Sequence, residues 1–110
     1  MQTVDEIDEF VLNFETDDVN ISRTGRIGTL RASRNEIERQ FGKPSGSYPK
    51  TTYHWQAEFP DGSVITIYDY YGQNRHADAN EKVEWSIGGR SAQNAKLLSI
   101  LGFEVETYGG

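Results

Sequence analysis

An α+β fold is predicted for this chain, with an antiparallel sheet of about four to five strands and three helices packed mainly on one face. Three observations predict it. From residue 52 onward, apolar side chains recur with a period of two, interrupted by turn residues. On either side of that region, apolar residues recur every three or four positions behind a Ser or Thr cap. One face of the alternating strands is strongly apolar, so the helices must cover that face.

The 110 residues match the size of one domain. Within it, residues 1–18 read as an acidic N-terminal helix and residues 19–110 as a helix-capped antiparallel sheet. Over 3–14, Val4, Ile7, Val11 and Phe14 form one apolar stripe with Phe10 beside it, and Thr3 and Glu6 have the spacing of a capping box. Asp17 and Asp18 break that pattern. Residues 19–32 are ambiguous: Gly25 and Gly28 suggest a hairpin or a bulged strand that points Ile27 and Leu30 inward. Ser33 and Glu36 make a second capping box for a helix of about two turns, buried along Ile37 and Phe41. Gly42 suits the left-handed position after a helix, and Pro44 prevents continuation. Residues 43–50 read as a loop.

In the next strand Tyr53, Trp55, Ala57 and Phe59 share one face, and His54, Gln56 and Glu58 share the other, exposed one. Pro60, Asp61 and Gly62 supply a hairpin turn. On the return strand Ile65 and Ile67 lie on one side, with Val64, Thr66, Tyr68 and Tyr70 on the opposite side. The polar loop 72–80 is not expected to pack. Val83, Trp85 and Ile87 then alternate with Lys82, Glu84 and Ser86 in a third strand. Gly88 and Gly89 end it, Ser91 caps a third helix buried through Leu97, Leu98 and Leu101, and Gly102 stops that helix. Phe103, Val105 and Thr107 form a short final strand. An uncovered sheet edge at 82–87 or 103–107 could pair two copies as a homodimer, although the charges interspersed there also resemble edge protection.

Composition narrows the chemistry. Without cysteine there is no disulfide framework, thiolate zinc site or cysteine nucleophile. The first residues lack the basic and apolar regions of a signal peptide, and no apolar run approaches the ~20 residues that span a bilayer. The expectation is a cytoplasmic protein with no membrane contact. The net charge of −6 is segregated. Residues 1–22 carry Asp5, Glu6, Asp8, Glu9, Glu15, Asp17 and Asp18 and no base, whereas 23–50 carry five arginines and two lysines against Glu36 and Glu38. Either the two blocks partly cancel within the fold, or the acidic block meets a basic partner, including a surface that normally holds nucleic acid. Direct nucleic-acid binding is disfavoured by the acidic pI of 4.8.

Few catalytic patterns are present. There is no phosphate-binding glycine loop followed by lysine, and no metal-ligand spacing of histidines, so no cofactor or metal is called for. His54 on a strand face and His76 in a loop both have structural explanations. Asp69 and Glu84, on neighbouring strands, are the one carboxylate pair that could serve a hydrolase. Gly88, Gly89, Arg90 and Ser91 lead from a strand into a helix, where backbone N–H groups could hold an anion with help from Arg75; two glycines at a tight turn explain the same residues. Tyr68, Tyr70 and Tyr71 are either covered second-face packing or an exposed aromatic surface for a base or a protein.

Three stretches carry a resemblance: SRNEIERQFGKP, FPDGSVITIYDYY and WSIGGRSAQNAKLL. Together they resemble a group of small uncharacterised bacteriophage proteins, over residues 28–101, with a capped helix ending in Phe-Gly-x-Pro, an Asp-Gly hairpin and a Trp-x-Ile-Gly-Gly turn. The resemblance implies a phage setting and, within it, inhibitors of host machinery such as anti-CRISPR or other counter-defence proteins. The seven acids ahead of it lie outside the pattern.

The leading expectation is therefore a non-enzymatic, phage-type interaction protein that binds and inhibits a host protein, one that handles nucleic acid. Its contact residues would be Asp5, Glu6, Asp8, Glu9, Asp17 and Asp18 together with Tyr68, Tyr70 and Tyr71. The alternative is a module that binds or sequesters a small anion such as a nucleotide at the 88–91 turn. An enzyme built on Asp69 and Glu84 comes third.

Overall fold

The computed structural model describes residues 16, 19–45 and 51–108. Five strands form one antiparallel sheet: β1 (Gly25–Ala32), β2 (His54–Glu58), β3 (Val64–Tyr68), β4 (Val83–Gly89) and β5 (Glu104–Thr107). Their spatial order is β2-β3-β4-β1-β5. Two α-helices are present among the described residues, α1 (Arg34–Phe41) and α2 (Lys96–Ile100), rather than three. The expected helix over 3–14, with the acids Asp5, Glu6, Asp8 and Glu9, lies outside the described residues, as do Asp17 and Asp18.

Strands β2, β3 and β4 form a meander, and β1 adds to the far side of β4. Strand β1 pairs with β4 from Gly25 opposite Gly89 to Ala32 opposite Val83, with the register shifting between Arg26 and Gly28. That irregularity resolves the ambiguous stretch: an extra residue lets Ile27 and Leu30, three apart, both pack on the core. Strand β5 closes the other side of β1, with Val105 opposite Leu30. The close approach there requires Gly28, because a Cβ at that position would collide with the Glu106 carbonyl.

The core lies on one face. Leu30, Ala32, Trp55, Ala57, Ile65, Ile67, Trp85 and Ile87 meet Ile37 and Phe41 of α1 and Leu97 and Leu98 of α2 in one cluster. Both tryptophans find acceptors: Trp55 Nε1 donates to the Gly42 carbonyl at 3.0 Å and Trp85 Nε1 to the Ala32 carbonyl at 2.9 Å. Their rings meet edge to face at 5.2 Å. Helix α1 begins with a complete capping box, in which the Ser33 hydroxyl accepts from the Glu36 amide and the Glu36 carboxylate accepts from the Ser33 amide. It ends on Gly42 at φ 82°. At the β2–β3 hairpin, Gly62 takes φ 87° and the Asp61 carboxylate accepts from the Ser63 amide.

Three expectations need correction. Residues 82–87 are not an edge: β4 is hydrogen-bonded to β3 on one side and β1 on the other, which leaves β2 and β5 as the edges. The polar loop 72–80 does pack, because Gln73 Nε2 and Asn74 Nδ2 both donate to the Glu84 carbonyl and the Asn35 amide donates to the Ala79 carbonyl. His54 is not on an exposed face; it is only 4% exposed. On the second face, residues 19–24 form a strap whose Ile21 and Thr24 line one pocket with His54, Thr66 and Gly88. Arg90 fastens the strap, donating from Nε to the Ser22 carbonyl and from Nη2 to the Asn20 carbonyl.

Candidate functional site

Tyrosines gather on the second face. Tyr68 is the last residue of β3 and points away from the core side defined by Ile65 and Ile67. The chain then turns through a 3-10 segment, Tyr70–Gly72, in which Tyr71 takes the left-handed conformation at φ 54°. For a non-glycine residue that backbone costs of order 1 kcal/mol or more. It points Tyr71 outward, with its ring edge-on to Tyr70 at 4.4 Å. Tyr70, Tyr71 and Tyr108 are 42%, 57% and 44% exposed.

Arg26 organises this surface. It sits at the β1 irregularity, and its guanidinium carbon lies 4.8 Å from the Tyr70 ring centroid and 5.3 Å from that of Tyr108. Tyr108 is set in place just beyond β5 by its amide, which donates to the Ile27 carbonyl at 2.9 Å. Burial pushes the Tyr68 phenol above its ordinary pKa, an effect that the nearby Arg26 charge opposes and the phenols of Tyr70 and Tyr108 reinforce. The result is one cation among four tyrosines contributed by β1, β3, the turn after it and the end of β5.

The turn that carries Tyr70 and Tyr71 is anchored from beneath. Asp69 is fully buried, and its Oδ1 accepts from the amides of Thr52 and Tyr53 at 2.7 and 2.8 Å, while its Oδ2 has no hydrogen-bond partner. This clasp joins the start of β2 to the end of β3. It also removes Asp69 from any carboxylate pair: Asp69 continues the core side of β3, whereas Glu84 is exposed on the opposite face, across from Arg31.

The glycine turn is occupied from within the chain. The amides of Arg90 and Ser91 both donate to Asn94 Oδ1 at 3.3 Å, the Gln93 amide donates to the Ser91 hydroxyl, and the Arg90 side chain holds the strap. Gly88 and Gly89 are buried. Arg75 belongs to a different place, the 72–80 loop, where its Nε lies 3.4 Å from His76 Nε2 and its guanidinium is near Gly72. Gly88, Gly89, Arg90, Ser91 and Arg75 therefore do not converge on one donor array. His54, whose pKa is held below its ordinary value by burial, pairs loosely with Gln56 Oε1 at 3.4 Å. Among the described residues no group of three His, Asp or Glu side chains could hold a metal ion.

Arg26 and Tyr108 were not singled out by sequence as site residues. Arg26 stood in an ambiguous segment and Tyr108 beyond the last strand, and no local motif joins positions 82 residues apart. Only the pairing of β1 with β5 brings them together. Among the described residues no helix is long and apolar enough to cross a membrane. No family model matches this chain, no curated protein is similar to it, and no solved structure matches its fold.

Proposed function

We propose that this is a non-enzymatic binding protein that docks on a basic, nucleic-acid-handling partner protein and blocks it, in the manner of a phage-encoded inhibitor of a host factor. The observation that carries the reading is the exposed cluster of Tyr70, Tyr71 and Tyr108 around Arg26. Tyrosine and arginine are the side chains that most often dominate interface energetics, because each combines a large rigid contact surface with a polar tip. The net charge of −6 supports a basic partner, through faster encounter with a positively charged surface. The phage setting rests on the resemblance of the three quoted stretches. The separation of Asp69 from Glu84 supports a role without catalysis.

The test is comparative capture from a host lysate, using the wild-type chain and the Tyr70→Ala/Tyr71→Ala double variant at low and moderate salt. A basic protein retained by the wild type and lost by the variant is expected, and duplex DNA should compete for it. The purified partner should then lose nucleic-acid binding when the wild-type chain is added. Equal capture by both chains, or a captured partner whose nucleic-acid binding is unaffected, defeats the proposal.

A further inference from the structure

Beside the strap, the second face contains a solvent-open pocket of about 200 Å³ lined by Ile21, Thr24, Gly25, His54, Thr66 and Tyr68. At ~30 Å³ per water this is room for about seven waters, enough to seat a single ring system. Two of the threonine hydroxyls that line it differ: Thr24 Oγ1 donates to the Ile21 carbonyl at 2.8 Å, whereas Thr66 Oγ1 makes no hydrogen bond to any described residue and is left to what enters the pocket.

Arg26 adjoins this cavity. Its chain neighbour Gly25 and its cross-strand partner Gly88 both line it. Tyr68 is common to both places: it walls the cavity, and its phenol feels the Arg26 charge. The Arg26 guanidinium is held by two aromatic faces alone and makes no hydrogen bond or ion pair to any described residue. A guanidinium stacked in this way keeps its planar fork of N–H donors available for an oxyanion. The only two non-glycine residues with positive φ among the described residues, Arg23 at 64° and Tyr71 at 54°, lie in the two segments that flank this face. Such backbone strain is concentrated at binding sites.

We infer that the second face is a ligand site for a nucleoside monophosphate, with the ring system in the cavity between the strap and Tyr68 and the phosphate on Arg26. The Thr66 hydroxyl faces the ring, Ile21 and Tyr68 supply its apolar walls, and Gly88 forms a floor where a Cβ would collide with Thr66 Oγ1. This inference is independent of the docking reading and would stand if no partner protein were found.

Titration calorimetry on the intact chain tests it, with AMP, GMP, CMP and UMP as probes and the four matching nucleosides, ribose 5-phosphate and inorganic phosphate as controls. At least one monophosphate is expected to bind tenfold or more tightly than its nucleoside and than ribose 5-phosphate. Arg26→Ala should erase the advantage over the nucleoside, with Arg26→Lys intermediate because it keeps the charge and loses the fork. Thr66→Ile should fill the cavity and weaken every ring-bearing probe, and Thr66→Val, nearly isosteric, serves if the larger substitution lowers Tm. The inference is overturned if none of the four monophosphates binds at millimolar concentration. It is equally overturned if Arg26→Ala binds as the wild type does, or if ribose 5-phosphate binds as well as the monophosphates.

Discussion

The two faces of this sheet are built on opposite terms. On the helix-covered face, large apolar side chains interdigitate and both indole N–H groups reach backbone carbonyls. On the strap side, most residues of similar burial are polar, His54, Thr66, Ser86 and Thr29, with Val64 the apolar exception. There Ser86 has an orphaned oxygen, Arg26 has no acceptor among the described residues, and the flanking segments hold two left-handed non-glycine residues. Burial alone therefore does not mark a core. Among the described residues the first face departs from the rules only at Asp69 Oδ2, at its margin, whereas the second departs from several in one place, which is where binding is to be sought.

Neighbouring substitutions can break this contrast. The largest effect is expected for Trp85→Ala, which empties the centre of the core and strands the Ala32 carbonyl; a loss of about 3–5 kcal/mol should appear in chemical denaturation. A loss no larger than that of a second-face substitution would show that the helix-covered face is not the stability core. Asp69→Ala should cost about 1–3 kcal/mol, because the part-buried amides of Thr52 and Tyr53 lose their shared acceptor, and proteolysis should then find the 70–72 turn. Gly88→Ala should cost about 1–3 kcal/mol through collision with Thr66 Oγ1, and Thr66→Ala in the same chain should recover much of it. Simple additivity of the two would place the strain elsewhere.

The remaining two effects are smaller. Burial depresses the His54 pKa in the folded chain, so the unfolded chain binds the proton more readily. Stability should be fully present above the ordinary value of 6.5 and decline as pH falls below it, and His54→Gln should flatten that decline between pH 7.5 and 5.5. An unchanged slope in the variant would assign the pH dependence to another group. Ser86→Ala, one residue from Trp85, should be nearly neutral or slightly stabilising, since it deletes a hydroxyl that has no partner. A loss above about 1.5 kcal/mol would mean that the hydroxyl is satisfied in solution.

Much of the fold was legible because its rules are local. The Ser33–Glu36 capping box, the Gly42 stop, the Asp61 and Gly62 turn and the period-two strands each depend on residues within a few positions of one another. The bulged first strand was one of two readings left by the glycines, and pairing with β4 selected it. The site was less legible. Tyr68, Tyr70 and Tyr71 could be named from their clustering, but whether they were covered depended on the rest of the chain. The anion expectation fell on the 88–91 turn because glycines before a helix resemble a donor nest; Asn94, inside that helix turn, supplies the acceptor instead. His54 was placed on an open face because alternation distinguishes two sides of a strand but not which of them is covered.

From the order of its residues alone, then, this protein determines the elements, their caps, the Asp-Gly hairpin and which side of each strand is apolar, since hydrogen-bond geometry and periodicity act over a few residues. Tertiary structure decided the rest. It inserted β1 between β4 and β5, set the 19–24 strap on the polar face, and placed Arg26 between Tyr70 and Tyr108. Those outcomes depend on contacts between residues tens of positions apart, whose loop-closure entropy is offset only when the whole sheet forms.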